Sequence, residues 1–193
     1  MRVSRVLLQK LFVCLAIGLA LLPGRASAGT STYEQTSPPR ITATAPGARA
    51  FYIEFRGRSE EGGFGHAYMV LGSVGRDGRQ HETTVFGFVP KDADDEFWSQ
   101  FALPVTGMIG VSQSDFTPSP DVAFRVALTR PQHDQLVRDI AGLQESWTTY
   151  LLLGHNCNDL MGAVARSLGL WTPLITVQLP VRYVIELQAI NTQ

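Results

Sequence analysis

Between residues 121 and 128 the large apolar side chains take every second position, Val122, Phe124, Val126 and Leu128, which in an extended chain puts all four on one face. That period predicts a half-buried strand. Residues 66–74 form a nearly unbroken apolar run opened by His66, residues 81–89 pass from His81 and two threonines into Val85, Phe86, Phe88 and Val89, and 51–55 form a shorter run, and each predicts a strand. Gly75, Arg76, Asp77 and Gly78 supply a hairpin turn between the two longer runs. Glu60 to Gly65 reads as a glycine-rich loop.

After Thr129 the period changes to that of a helix. Leu136, Val137, Ile140 and Leu143 recur at helical spacing, and Thr129 with Gln132 makes a capping box at the start. A second helix carries Cys157, Leu160, Met161, Val164 and Leu168 on one face, with Asn156 or Asn158 as its cap and Gly169 to end it. A third begins at Pro180 and carries Val181, Val184, Ile185 and Leu187. The aromatic cluster of Phe97, Trp98 and Phe101, behind the acidic residues 92–96, reads as a short helix or a covering loop. Strands come first and helices later, which predicts an α+β fold, an antiparallel sheet packed against the helix that carries the cysteine. That helix is expected to lie on the strand that bears His66.

The N-terminal pattern is of another kind. Arg2, Arg5 and Lys10 precede an uncharged apolar core from 11 to 22, and Ala26, Ser27 and Ala28 make a small-residue cleavage site before Gly29, so 1–28 reads as a secretory signal peptide. The core is 12 residues long, short of the about 20 that cross a bilayer. Cys14 lies inside it and not at the cleavage point, which excludes a lipoprotein start. Residues 29–49, rich in Ser, Thr, Pro, Gly and Ala, read as a flexible leader, and 50–193 as one folded domain. The expected location is secreted or periplasmic, with no membrane span after cleavage.

Cleavage alters the charge. Four of the 16 basic residues and none of the 17 acidic ones lie in 1–28, leaving a net charge of −5 with Lys91 as the only lysine. Without a basic cluster, nucleic acid is excluded as a partner. Cleavage also removes Cys14, so Cys157 is left as a single cysteine in an oxidising compartment, where stabilising cysteines come in pairs. Backbone N–H groups at a helix start favour thiolate and are expected to lower its pKa below the free value of about 8.5.

A thiol so placed needs a base, and His66 is the histidine expected to serve. Together they are the equipment of nucleophilic acyl chemistry: sulfur attacks a carbonyl, imidazolium protonates the leaving group, and water or another nucleophile releases the acyl group. The Cys157 backbone N–H, with an amide of Asn156 or Asn158, can bind the oxyanion, although either asparagine can equally be a plain helix cap. His155 can support the thiol or be an ordinary loop residue. Glu54 and Asn156 are open candidates for a group that orients His66. His81 falls several strand residues from His66, and His133 lies on the polar side of its helix. No cysteine or histidine pair has zinc spacing, so neither metal nor cofactor is expected.

The segments GHAYMVLG and YLLLGHNCNDLMGAVARSLGL, then WTP and LPVRYVIEL, resemble circularly permuted papain-like thiol hydrolases. These are the PPPDE peptidases, the lecithin retinol acyltransferase-like proteins and the wider NlpC-type amidases. In those families a strand histidine precedes a helix-start cysteine, the order seen from His66 to Cys157. The resemblance implies a permuted papain-like fold, Cys157 as nucleophile and His66 as general base. With the signal peptide, it implies an exported peptidase or amidase that cleaves amide bonds, with cell-wall peptide, peptidoglycan, as the natural substrate outside the membrane. Two other readings stay open: a thiol acyltransferase or esterase acting on lipid acyl groups, and an inactive binding module of the same fold.

Overall fold

The computed structural model describes residues 50–60, 63–92, 98–99, 102–111, 115 and 119–192. The segments read as signal peptide (1–28) and leader (29–49), and the aromatic residues Phe97 and Phe101, lie outside the described residues. Six strands form one antiparallel sheet: β1 (Ala50–Arg58), β2 (His66–Val74), β3 (Gln80–Pro90), β4 (Val105–Gly110), β5 (Val122–Leu128) and β6 (Thr149–Tyr150), in the order β5-β1-β2-β3-β4-β6. Three described helices follow the pattern of the sequence: α1 (Arg130–Ser146), α2 (Cys157–Ser167) and α3 (Pro180–Asn191). The fold is α+β with an antiparallel sheet, as expected. β4 and β6 are additions that the sequence pattern does not announce.

Pairing is set by the hairpin. Gly75 donates to Arg79 O and Gly78 to Gly75 O, and the Asp77 carboxylate takes the Arg79 N–H. From that turn the register runs through Ser73 opposite His81 to Tyr68 opposite Gly87. It keeps His81 seven residues along the strand from His66.

Strand alternation then divides the side chains between two faces. On one face Ile53 and Phe55 of β1 stand beside Leu71 and Met69 of β2, with Phe86 and Phe88 of β3, Ile109 of β4 and Phe124 of β5. All three helices cover this face, contributing Leu136 and Ile140, then Leu160, Met161 and Val164, then Tyr183, Val184 and Leu187. Close packing at the β1 end depends on Gly57, where a Cβ would lie 2.9 Å from Pro180 O and from Val181 Cα. Val137 and Ile185, expected in the apolar stripes, are exposed instead. Their helices turn those positions outward.

The other face is polar and nevertheless buried at its centre. Glu54 receives Arg56 Nε at 2.6 Å and Arg125 Nε at 2.6 Å, and Arg56 continues to Glu82. The Arg125 guanidinium lies 4.1 Å from the centre of the Tyr52 ring. Burial of carboxylate and guanidinium together is tolerated because each neutralises the other.

Candidate active site at the open end of the ladder

β2 and β3 part company after the pair of Tyr68 and Gly87. The site lies there. α2 begins at the same end of the sheet, fixed by a complete capping box: Asn156 Oδ1 accepts from Asn158 N at 2.8 Å and Asp159 N at 3.3 Å, while Asn156 N donates to Asp159 Oδ2 at 2.8 Å. This holds Cys157 as the first helical residue. Its sulfur lies close to backbone N–H groups, that of Ala67, the residue after His66, and those of the α2 start.

Those donors do not lower the thiol pKa below its ordinary value. Cys157 is 5% exposed, and burial pushes the thiol up to about 11. The nearby Asp159 carboxylate also disfavours a second negative charge, and the Tyr150 hydroxyl lies close to the sulfur. The expectation of an acidic thiol is corrected on this ground: desolvation outweighs the helix start. At neutral pH the sulfur is protonated.

His66 starts β2 after Gly65, which takes φ 79° and whose place admits no side chain, since a Cβ there would fall 2.1 Å from Arg58 O. The imidazole leaves the sheet on the polar face. Its Nε2 would be 2.6 Å from a Cβ at Gly87, so the glycine makes the space in which the ring lies. Beyond it, Nε2 stands 3.8 Å from Oδ1 of Asp115, wider than a hydrogen bond, and Asp115 is buried. Burial lowers the His66 pKa, against the opposing pull of the Asp115 carboxylate, so the ring is neutral at pH 7.

The two expected partners therefore reach one end of β2 from opposite faces. Sulfur lies close to the Ala67 N–H below α2, and the imidazole lies over Gly87 on the other side. No hydrogen bond joins them. The parity of the strand explains this: Ala67, paired with Gly57 under α3, faces the helices, so its neighbour His66 cannot.

The remaining candidates have other tasks. Asn156 is the cap, and its Nδ2 donates to Leu152 O at 2.8 Å. Both amide protons of Asn158 go to the chain before α3, to Thr176 O at 2.9 Å and Gln178 O at 2.8 Å. The expected amide donation from Asn158 to an oxyanion is corrected accordingly, which leaves the Cys157 backbone N–H, those of Asn158 and Asp159 being held by the Asn156 cap. His155 Nδ1 lies 2.6 Å from Thr149 O, which makes it the protonated nitrogen, and the ring packs 4.2 Å from Trp147 and 5.1 Å from Phe88. It fastens β6 beside the thiol. Glu54 is committed to Arg56 and Arg125 and does not orient His66.

Two groups escaped the sequence reading. Asp115 is the carboxylate beside His66, brought there by the return of the chain from β4. Tyr150 is the hydroxyl close to the sulfur. An acidic residue 49 positions from His66 and a tyrosine in a two-residue strand leave no periodic trace. No known family, curated protein or solved structure matches this chain, and the likeness to permuted thiol hydrolases rests on the His66 and Cys157 segments.

Proposed function

We propose that the protein is an exported thiol hydrolase of amide bonds, with Cys157 as nucleophile, His66 as base and Asp115 as the group that orients the imidazole. One observation carries the reading: the Cys157 sulfur occupies the open end of the β2–β3 ladder close to the N–H next to His66, and a buried carboxylate stands behind the His66 ring. A neutral thiol and a neutral imidazole, here on opposite faces of β2, suit general-base attack, in which the proton leaves sulfur only as the carbon–sulfur bond forms. The ring must close onto the sulfur for this step.

In that step Sγ bonds to the carbonyl carbon and its proton passes to imidazole. The oxyanion is met by the Cys157 backbone N–H, since those of Asn158 and Asp159 go to the Asn156 cap. Collapse breaks the carbon–nitrogen bond, imidazolium gives its proton to the departing amine, and water then hydrolyses the thioester. Peptides outside the membrane, cell-wall peptides among them, are the substrate class.

The opposed faces and the thiol pKa of about 11 favour a second reading, an inactive binding module of the same fold. A panel of amide-linked fluorogenic peptides separates the two. Wild type is expected to release amine, Cys157→Ser to release none, and His66→Ala to fall at least about a hundredfold, the usual worth of a positioned base. Equal turnover in all three would overturn the assignment, as would no turnover together with no labelling of Cys157 by peptidyl electrophiles. Transfer of an acyl chain to an amine or lipid, with no amide cleaved, would replace hydrolase by acyltransferase.

A further inference from the structure

The face of the sheet away from the helices is divided in charge. Over β1 it carries Glu54, Arg56 and Arg58, and over β5 Arg125, opposite Glu54. Over β3 and β4 it is different. Phe88 and Ile109 are partners that both enter the core, so the pairs on either side of them, Gly87 with Gly110 and Val89 with Met108, face the other way. Val85 and Thr106 extend the same two rows, and neither row has a charged side chain between Val85 and Val89 or along β4. The His66 ring leans toward this uncharged half, over Gly87.

Two glycines directly opposite each other leave a gap in the layer of side chains that spans both strands. His66 enters the gap from one side, its Nε2 2.6 Å from where a Cβ of Gly87 would be. Met108 enters from the other, its Cε 3.0 Å from where a Cβ of Gly110 would be. Opposed Cβ positions are about 5 Å apart, so imidazole and thioether share one gap. Met108 is 37% exposed, Val111, just past Gly110, is 40%, and Phe64, two residues before His66, is 53%. Apolar surface therefore remains in water around the imidazole.

The occupant of this surface follows from the chemistry proposed for His66, and the inference rests on that reading. Imidazolium gives its proton to the departing amine, so the residue released as amine lies at the imidazole. Its side chain is received on the half of the sheet toward which the ring leans. We infer that Met108 is a specificity-determining residue: with Phe64 and Val111 it forms a subsite for an apolar side chain on the amine side of the scissile amide. The unbranched thioether adapts its shape to branched and aromatic partners alike. A lysine or arginine in that place would lose water and meet no anion on either row, since the carboxylate at hand, Asp115, is buried behind His66.

The test uses the purified full chain and amide-linked peptides that differ only in the residue released as amine: leucine or phenylalanine against lysine and aspartate. Wild type is expected to favour leucine and phenylalanine in kcat/KM by at least about tenfold, the lower end of what apolar pocket contacts give. Met108→Glu, close to methionine in length, is expected to lose that preference and to cleave the lysine peptide faster than wild type does, with an unchanged thermal melt. Val137→Glu, at an exposed apolar position on α1, is expected to alter neither. Fluorescence anisotropy of the same peptides on Cys157→Ser reads the preference without chemistry. If wild type cleaves and Met108→Glu keeps the apolar preference, the subsite is overturned and the hydrolase stands. If nothing is cleaved but Cys157→Ser binds the leucine peptide and loses it when Met108→Glu is added, the hydrolase falls and the apolar subsite stands. Equal binding of all the peptides by Cys157→Ser would overturn the subsite.

Discussion

The two faces of β1 and β2 differ in how they hold together. Toward the helices, Ile53, Phe55, Met69 and Leu71 are packed carbon against carbon. On the reverse, Tyr52, Glu54, Arg56 and Tyr68 are buried to nearly the same degree, but in a network of charges and rings. The first face tolerates a change by losing contacts one at a time. The second depends on Glu54, a single carboxylate serving two guanidinium groups, so its loss strands Arg125 and leaves Arg56 to the more exposed Glu82 alone. Cys157 belongs to the first face and His66 to the second, and the candidate chemistry lies where the two environments meet at the end of the ladder.

The contrast is tested most severely at Glu54. Glu54→Ala leaves Arg56 and Arg125 without their shared anion and is expected to destabilise by about 3 to 5 kcal/mol, read by urea denaturation. If the loss is below about 1 kcal/mol, the range of surface ion pairs, the polar face is not a linked unit.

A smaller effect is expected at alkaline pH on the apolar face. The Cys157 pKa is raised from the ordinary 9.0 to about 11, so the folded state holds its proton more tightly than the unfolded chain. The resulting stability is complete below about pH 9 and lost as pH rises through about pH 11, on the order of 2 to 3 kcal/mol in all. Stability curves of wild type and Cys157→Ala should converge across that window. Parallel curves would mean that the thiol is not desolvated.

The smallest change addresses the boundary between the faces. Gly87→Ala puts a methyl group 2.6 Å from His66 Nε2 and displaces the ring. A stability loss of about 1 to 3 kcal/mol is expected from overpacking, with hydrolysis falling further than stability does. Activity equal to wild type would show that the ring does not need its place over Gly87.

Much of this architecture is legible in the sequence because its signals are local. The capping boxes at Thr129 and Asn156, the turn at Gly75 to Gly78 and the alternation in β5 each depend on neighbours within four residues or so. The face that His66 takes is not legible. β2 is buried on both sides, so residues 66 to 73 show no alternation from which to read which members face α2. Only the register with β1 and β3 decides it. Short, glycine-bearing β4 and two-residue β6 fall below any periodic signal, and with β6 goes Tyr150, while Asp115 lies outside every strand and comes beside His66 through tertiary structure alone.

The raised thiol pKa has a consequence for survival. At pH 7 a thiol of pKa about 11 is ionised in roughly one molecule in ten thousand, and peroxides and disulfides attack the ionised form. Held under α2 with the Tyr150 hydroxyl close to its sulfur, Cys157 is shielded from oxidants. Such a residue can wait unspent for a carbonyl delivered alongside a base.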